Sequence, residues 1–187
     1  SRLNSVKRLV YSGTSSLYGR QNLIPFEPNM PADCLNPYSM SKWMGEQICK
    51  LYCQLYSVPS IVLRYFNVYG PREPIKGEYA PVIGLFKRQA FSGKAMTIVS
   101  PGTQKRDFTY IDDVVDANIC AMNSSTLDIP FGIYNVGTGV NYSMLEISEM
   151  IGSKTGIVMT TMIPPRPAEV KETLADICFA NKGPNTK

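Results

Sequence analysis

The 187 residues carry 19 basic and 15 acidic side chains, a formal net charge of +4, and no histidine. Hydrophobic residues at 44% and charged residues at 18% make an ordinary globular composition, which argues against a disordered or low-complexity chain. The basic residues are scattered rather than gathered into a stripe, so the charge suits a small anionic ligand and not nucleic acid.

Along the chain, Arg8 to Tyr11 is a short β-rich run that ends in a Ser/Thr/Gly cluster from Ser12 to Ser16. It reads as a strand delivering hydroxyls at its carboxyl end. A Pro- and Asn-rich loop follows to about Asn36. From Tyr38 to Tyr56, Met40, Met44, Ile48, Leu51 and Leu55 recur at three- and four-residue spacing behind Pro37, which predicts an amphipathic helix. Ser60 to Phe66 reads as a strand, Asn67 to Glu78 as a Gly/Pro loop, and Val82 to Phe91 as a helix. Strand, long helix, strand is the rhythm of a parallel sheet. Beyond Ser92, short strands are expected at Met96 to Val99, Asp107 to Ile111, Gly132 to Val136 and Ile157 to Ile163. Helices are expected after Asp112 and after Ser143, where Ser143 and Glu146 form an S-x-x-E capping box.

The cysteines, Cys34, Cys49, Cys53, Cys120 and Cys178, lack metal-type pairing and there is no histidine to complete a zinc site, so no metal is expected. They read as reduced cytosolic thiols packed as small hydrophobes. No run of about 18 apolar residues suggests a membrane span, and no signal peptide opens the chain. A cytoplasmic protein is expected. Without histidine, acid–base chemistry must use another residue. Tyr38 and Lys42, four apart at the start of the long helix, share one face. An ammonium there favours phenolate and gives a general base.

Six blocks carry a resemblance. They are Thr14 to Gly19, Tyr38 to Lys42, Leu63 to Arg72, Arg106 to Ile111, Tyr134 to Gly139, and Pro165 to Pro167. In order and spacing they resemble the extended short-chain dehydrogenases/reductases, most nearly the UDP-glucose 4-epimerase branch of the NAD-dependent epimerase/dehydratases. The resemblance implies an α/β fold. Residues 1–91 would be the C-terminal part of a Rossmann-type parallel sheet domain with the catalytic Thr and the Tyr/Lys pair. Residues 92–187 would be mainly a smaller mixed α/β lobe that binds the UDP-sugar, truncated at its C-terminus. The family's Gly-rich cofactor loop would precede Ser1, so the chain alone is expected to be an incomplete, inactive enzyme. Gly137 and Gly139 do not supply that loop, because the third glycine of the fingerprint would fall at Tyr142.

What the resemblance implies for activity is C4 epimerisation of a UDP-hexose with NAD as cofactor. Tyr38 would take the proton of the sugar 4-hydroxyl, Lys42 would bond the nicotinamide ribose, Thr14 would relay the proton, and Tyr65 would flank the nicotinamide. Asn67, the amide of Val82, Arg106 and Arg166 would hold the diphosphate, a task suited to guanidinium. Thr97 and Val99 would present backbone groups to uracil. Thr173 stands where strictly hexose-specific relatives have Tyr, leaving room for an N-acetyl group. Homodimerisation through the Tyr38 helix and the next long helix is implied as well, with Trp43, Met44 and Leu51 as candidate contacts. The alternatives are another nucleotide-sugar member of the family, a 4,6-dehydratase or a decarboxylase, although dehydratases place an acidic pair directly after the catalytic Thr where this chain has Ser15 and Ser16, or a non-catalytic nucleotide-sugar-binding fragment. Two departures bear on the loops around the nucleotide: Val99-Ser100-Pro101-Gly102 before Arg106, and Ala168 where Gly is usual.

Overall fold

The computed structural model describes residues 6–74, 81–125, 128–166 and 169–178. Ala168 and Pro167, and the end of the expected loop at Glu78, lie outside these. The first sheet contains β1 (Leu9–Thr14), β2 (Ser60–Tyr65) and β7 (Phe131–Val136), all parallel, in the order β1-β2-β7. Val10 pairs Ile61 and Thr14 pairs Tyr65, which in turn pairs Val136. Because side chains alternate along a strand, this register sorts them by face. Val10, Leu63 and Val136 pack toward Val114 and Ala121 of helix α3 (Ile111–Asn123). Tyr11, Gly13, Arg64 and Asn135 point to the other face, toward helix α1 (Pro37–Tyr56).

Helix α1 starts where the sequence says it should. Asn36 accepts from the Ser39 amide at 2.8 Å while Ser39 returns a bond to Asn36, with Pro37 in the first turn. It ends at Ser57 in the left-handed region, φ 51°. The direction of its apolar stripe is a different matter. Met44, Ile48 and Leu55 are 54%, 54% and 62% exposed, and the residues buried against the sheet are Ser39, Glu46 and Cys49.

The second sheet pairs β4 (Met96–Val99) with β9 (Thr160–Ile163), again parallel. Against it pack α2 (Val82–Phe91) and α4 (Met144–Thr155), closing a core of Phe86, Met96, Ile98, Phe108, Met144 and Ile147. Ser143 caps α4 and Glu146 reaches back to the Ser143 amide at 2.7 Å, as expected from the spacing. Two small ladders join the parts. β3 (Val68–Tyr69) pairs β6 (Thr109–Tyr110), and β5 (Lys105–Asp107) pairs β8 (Asn141–Ser143).

Two expectations need correction. Asp107 to Ile111 is not one strand, since it divides into β5, β6 and the first residue of α3. Asn67 to Glu78 is not wholly loop, because Val68 and Tyr69 find a ladder partner in β6. Elements from both sides of residue 91 build the first sheet. β7 and α3 come from beyond it and complete the first sheet, since their apolar side chains fit the face left by Ile61 and Leu63.

Candidate active site

Of the expected site residues, Thr14 and Tyr65 close β1 and β2, Asn67 follows β2, and Lys42 reaches the end of β1. Thr14 closes β1 and caps a 3-10 turn at Ser15–Tyr18, its Oγ1 accepting from the Ser16 amide and donating to Ser16 Oγ, both at 3.2 Å. The hydroxyl therefore already has the local backbone role open to any strand-end threonine. Tyr38 and Lys42 sit one turn apart on α1. The Tyr38 side chain is 48% exposed. Lys42 Nζ donates to the Ser12 carbonyl at 3.1 Å, which fixes the ammonium at the end of β1.

The ends of these elements are locked to each other by a buried polar cluster. Glu46 has no exposure and meets Arg64 Nη2 at 2.7 Å. Arg64 Nη1 donates to Tyr18 Oη and to the Pro28 carbonyl, both at 2.9 Å. Tyr18 in turn donates to Asn135 Oδ1 at 2.6 Å, and Asn135 Nδ2 donates to the Phe26 carbonyl. Burial works against the Arg64 charge, but the Glu46 carboxylate and Tyr18 outweigh it and hold the guanidinium above its ordinary pKa. Burial pushes the Tyr18 phenol up, against Arg64 and Asn135.

A cleft of about 200 Å³ opens beside this group, with Ser16, Asn36, Asn67, Arg106 and Thr173 in its walls. Asn36 is the cap of α1, so the cleft reaches the end of the helix that carries Tyr38. Asn67 sits at φ 29°, its Nδ2 donating to the Asp107 carbonyl at 2.7 Å and to Thr173 Oγ1 at 3.4 Å. Arg106 Nη2 meets Glu169 Oε1 at 2.6 Å. Burial pushes the Arg106 guanidinium below its ordinary pKa, while Glu169 acts in the opposite direction. Arg166 is exposed and lines an adjoining cleft of about 480 Å³ that shares Glu169 and Val170 with the first.

Other expected residues are placed differently. The Tyr65 hydroxyl bonds to Ser12 and to Asn118 on α3, on the sheet face away from α1. Val82 opens α2, whose cap residue Pro81 provides no side-chain bond. The Thr97 amide is held by Gln89 Oε1 at 3.1 Å and the Val99 carbonyl by Gln104 Nε2 at 2.9 Å, so both backbone groups are engaged within the chain.

Sequence reasoning missed Asp107, which is fully buried. Its carboxylate accepts from the amides of Thr138, Gly139 and Ala175 and from Thr138 Oγ1, at 2.8–3.1 Å. It thereby fills the Gly137-Thr138-Gly139 turn, so the amides that mimic a phosphate loop are satisfied by the chain's own carboxylate. It also ties β5, with Arg106, to the segment carrying Thr173. Its position beside Arg106 in a matched block was the available signal. Glu169 was missed for lack of any local pattern.

Helices on both faces of a parallel sheet, with a Tyr/Lys helix beside a strand-end hydroxyl cluster, define a Rossmann-type α/β fold. More particularly, the sequence model of the NAD dependent epimerase/dehydratase family matches residues 1–137, and the chain belongs to that family. It is 32% identical over 178 residues to a UDP-glucose 4-epimerase of Mycolicibacterium smegmatis, covering 94% of this chain and 56% of that protein. A UDP-N-acetylglucosamine 4-epimerase from Methanobrevibacter ruminantium, solved with UDP-N-acetylmuramic acid, superposes with a TM-score of 0.93 at 28% identity, covering 100% of this chain and 59% of the other. A UDP-glucuronic acid 4-epimerase from Bacillus cereus, solved with UDP-glucuronic acid and NAD, gives 0.88 at 31%, covering 97% and 56%. The chain thus spans somewhat more than half the length of these relatives. Among the described residues no helix is long and apolar enough to cross a membrane.

Proposed function

We propose that this chain supplies the catalytic hydroxyls and the substrate clamp of an NAD-dependent UDP-hexose 4-epimerase. The observation that carries the reading is the cleft in which Asn67, Arg106 and Thr173 face the capped end of the Tyr38 helix. The partly buried Arg106 guanidinium suits a diphosphate once the Glu169 carboxylate that now pairs with it moves aside, and a half-exposed phenol with a lysine one turn on suits proton transfer.

The chain's residues fit the family's cofactor at one end. Lys42 spends one of its three N–H donors on Ser12, which leaves donors for ribose hydroxyls. When bound, NAD supplies the reversible hydride acceptor. Tyr38 Oη would take the proton of the 4-hydroxyl on oxidation at C4 and give it back on reduction. Thr14 Oγ1 turns from Ser16 to the same hydroxyl and relays its proton. Tyr65 acts by packing, because its hydroxyl is spent on Ser12 and Asn118. Asn67, Arg106, Arg166 and the first-turn amide of Val82 hold the nucleotide while the 4-keto sugar turns, so binding energy is placed on the part that does not react. Thr97 and Val99 present backbone groups to the base once Gln89 and Gln104, which now hold them, turn away. Thr173 leaves the sugar side open to N-acetylated substrates. Two copies pair through the exposed stripe of α1, with Met44 and Leu51 at the contact.

The test is to supply the protein that contains this chain and its nucleotide-binding half with NAD and either UDP-glucose or UDP-N-acetylglucosamine, and to identify the products. Interconversion of the C4 epimers is expected. Tyr38→Phe should lower kcat by about 100-fold or more while UDP-sugar affinity stays within about twofold. A 4-keto-6-deoxy product, or binding without epimerisation, would reverse the assignment. Turnover confined to UDP-glucose would sink the N-acetyl reading alone.

A further inference from the structure

We infer that Tyr11 is a positioning residue for Lys42, holding its ammonium at the end of β1 through the face of the Tyr11 ring. The inference rests on the reading of Lys42 as half of the catalytic pair. Tyr11 grips Lys42 at two points. Lys42 Nζ lies 5.5 Å from the centroid of the Tyr11 ring, within range of a cation–π attraction. The Tyr11 hydroxyl donates to the Lys42 backbone carbonyl at 3.3 Å. The Ser12 carbonyl, next along β1, receives the ammonium itself at 3.1 Å. A flexible four-carbon side chain is thus held at its root and at its head by two consecutive residues of one strand.

The helix makes room for this arrangement. Gly45 lies opposite the Tyr11 ring, and a Cβ there would collide with the hydroxyl and the ring carbon that bears it. A helix interior disfavours glycine by about 1 kcal/mol relative to alanine, so its presence in α1 is accounted for by the close approach of Tyr11. Burial pushes the Tyr11 phenol above its ordinary pKa, and Cys49, Glu46 and Tyr38 act in the same direction. Tyr11 therefore stays neutral beside Lys42 and keeps its O–H as a donor.

A tyrosine that merely fills space between β1 and α1 would act by shape, whereas a positioning tyrosine acts by the charge distribution of its ring. Tyr11→Phe and Tyr11→pentafluorophenylalanine have closely similar outlines, but the second reverses the ring quadrupole. In the full 187-residue chain, acetylation of each lysine by acetic anhydride is followed by mass spectrometry, with the exposed Lys50 of the same helix as internal reference. Lys42 should label about two- to fivefold faster with the fluorinated ring than with phenylalanine, and Lys50 equally in both. In the protein that includes the nucleotide-binding half and NAD, the acid limb of the kcat profile should move to higher pH with the fluorinated ring, with KM for the UDP-sugar unchanged. Should the fluorinated protein not fold, Tyr11→Met keeps much of the volume without a π face and gives the same comparison.

Equal Lys42 labelling in the two proteins would overturn the inference. If turnover were present but neither labelling nor the acid limb moved, the Tyr11 role would fall and the epimerase reading would stand. If Lys42 labelling responded while no variant turned over a UDP-sugar, the epimerase reading would fall and the Tyr11–Lys42 contact would stand.

Discussion

Arg64 and Glu46 are 3% and 0% exposed, and charges so placed are tolerated only when each meets the other and the remaining polar atoms find partners. Here they do: the guanidinium reaches Glu46, Tyr18 and the Pro28 carbonyl, which belong to three different segments. Arg64→Met should therefore cost about 3–5 kcal/mol, because it leaves a buried carboxylate without its cation. Glu46→Leu combined with Arg64→Met should recover much of that loss, since both charges are then removed together. Urea unfolding of the four proteins in the cycle checks this, and a double variant no more stable than Arg64→Met alone would refute it. Asp107 works by a different logic, with one carboxylate serving three amides and a hydroxyl. Asp107→Asn replaces one acceptor oxygen by a donor that faces N–H groups. A loss of about 1–3 kcal/mol is expected, accompanied by weaker UDP-sugar binding as Arg106 loses its register. Calorimetry of UDP binding measures the second effect, and unchanged affinity would detach Asp107 from the clamp.

The elements differ in how far the sequence specified them. Helices α1, α2 and α4 were legible because their signals are local: Pro37 at an entrance, an apolar period, and Ser143 with Glu146 three residues on. β3 and β8, two and three residues long, were not legible, because such short strands exist only by virtue of distant partners, β6 and β5. The apolar period of α1 was read correctly as a stripe, but periodicity does not say which way a stripe faces. Glu46 and Cys49 took the sheet side because Gly13 and Gly45 let the helix approach there. At the site, Asn67, Arg106 and Thr173 lie together in one cleft, whereas the engagement of Thr97 and Val99 by Gln89 and Gln104 depends on side chains that no motif marks. The α4 capping box gives a prediction of its own. The Glu146 carboxyl is held below its ordinary value, first by the Ser143 amide and then by the Ser143 hydroxyl. A depressed carboxylate stabilises the fold above its unfolded pKa of about 4.3. That contribution is lost as pH falls through the lower folded value. Glu146→Gln should therefore narrow the gap in thermal stability to wild type as pH is taken from 6 to about 3. A gap that stays constant over this range would exclude the capping carboxylate as its source.

For the whole molecule, the direction of the α1 stripe has the largest consequence. Met40, Met44, Ile48, Leu51 and Leu55 run along a 20-residue helix, each at least 43% exposed, with Tyr52 and Tyr56 stacked edge to face beside them. Scattered surface hydrophobes need no explanation, but a continuous apolar strip along one helix marks a contact surface. A two-fold axis across α1 would lay this strip against its own copy, with equivalent residues meeting in an isologous interface. The same helix carries Tyr38 and Lys42 on another side, so pairing there would brace these two residues without covering them. Ile48→Lys places a charge near the middle of the strip, where it would be desolvated and would face its own like charge across the axis. In the protein that contains this chain, sedimentation equilibrium should show a dimer for wild type and a monomer for Ile48→Lys. The monomer's intrinsic stability should change by no more than about 0.5 kcal/mol, because the residue is 54% exposed in the single chain. A wild-type monomer at micromolar concentration, or an Ile48→Lys protein that still dimerises, would remove α1 from the interface.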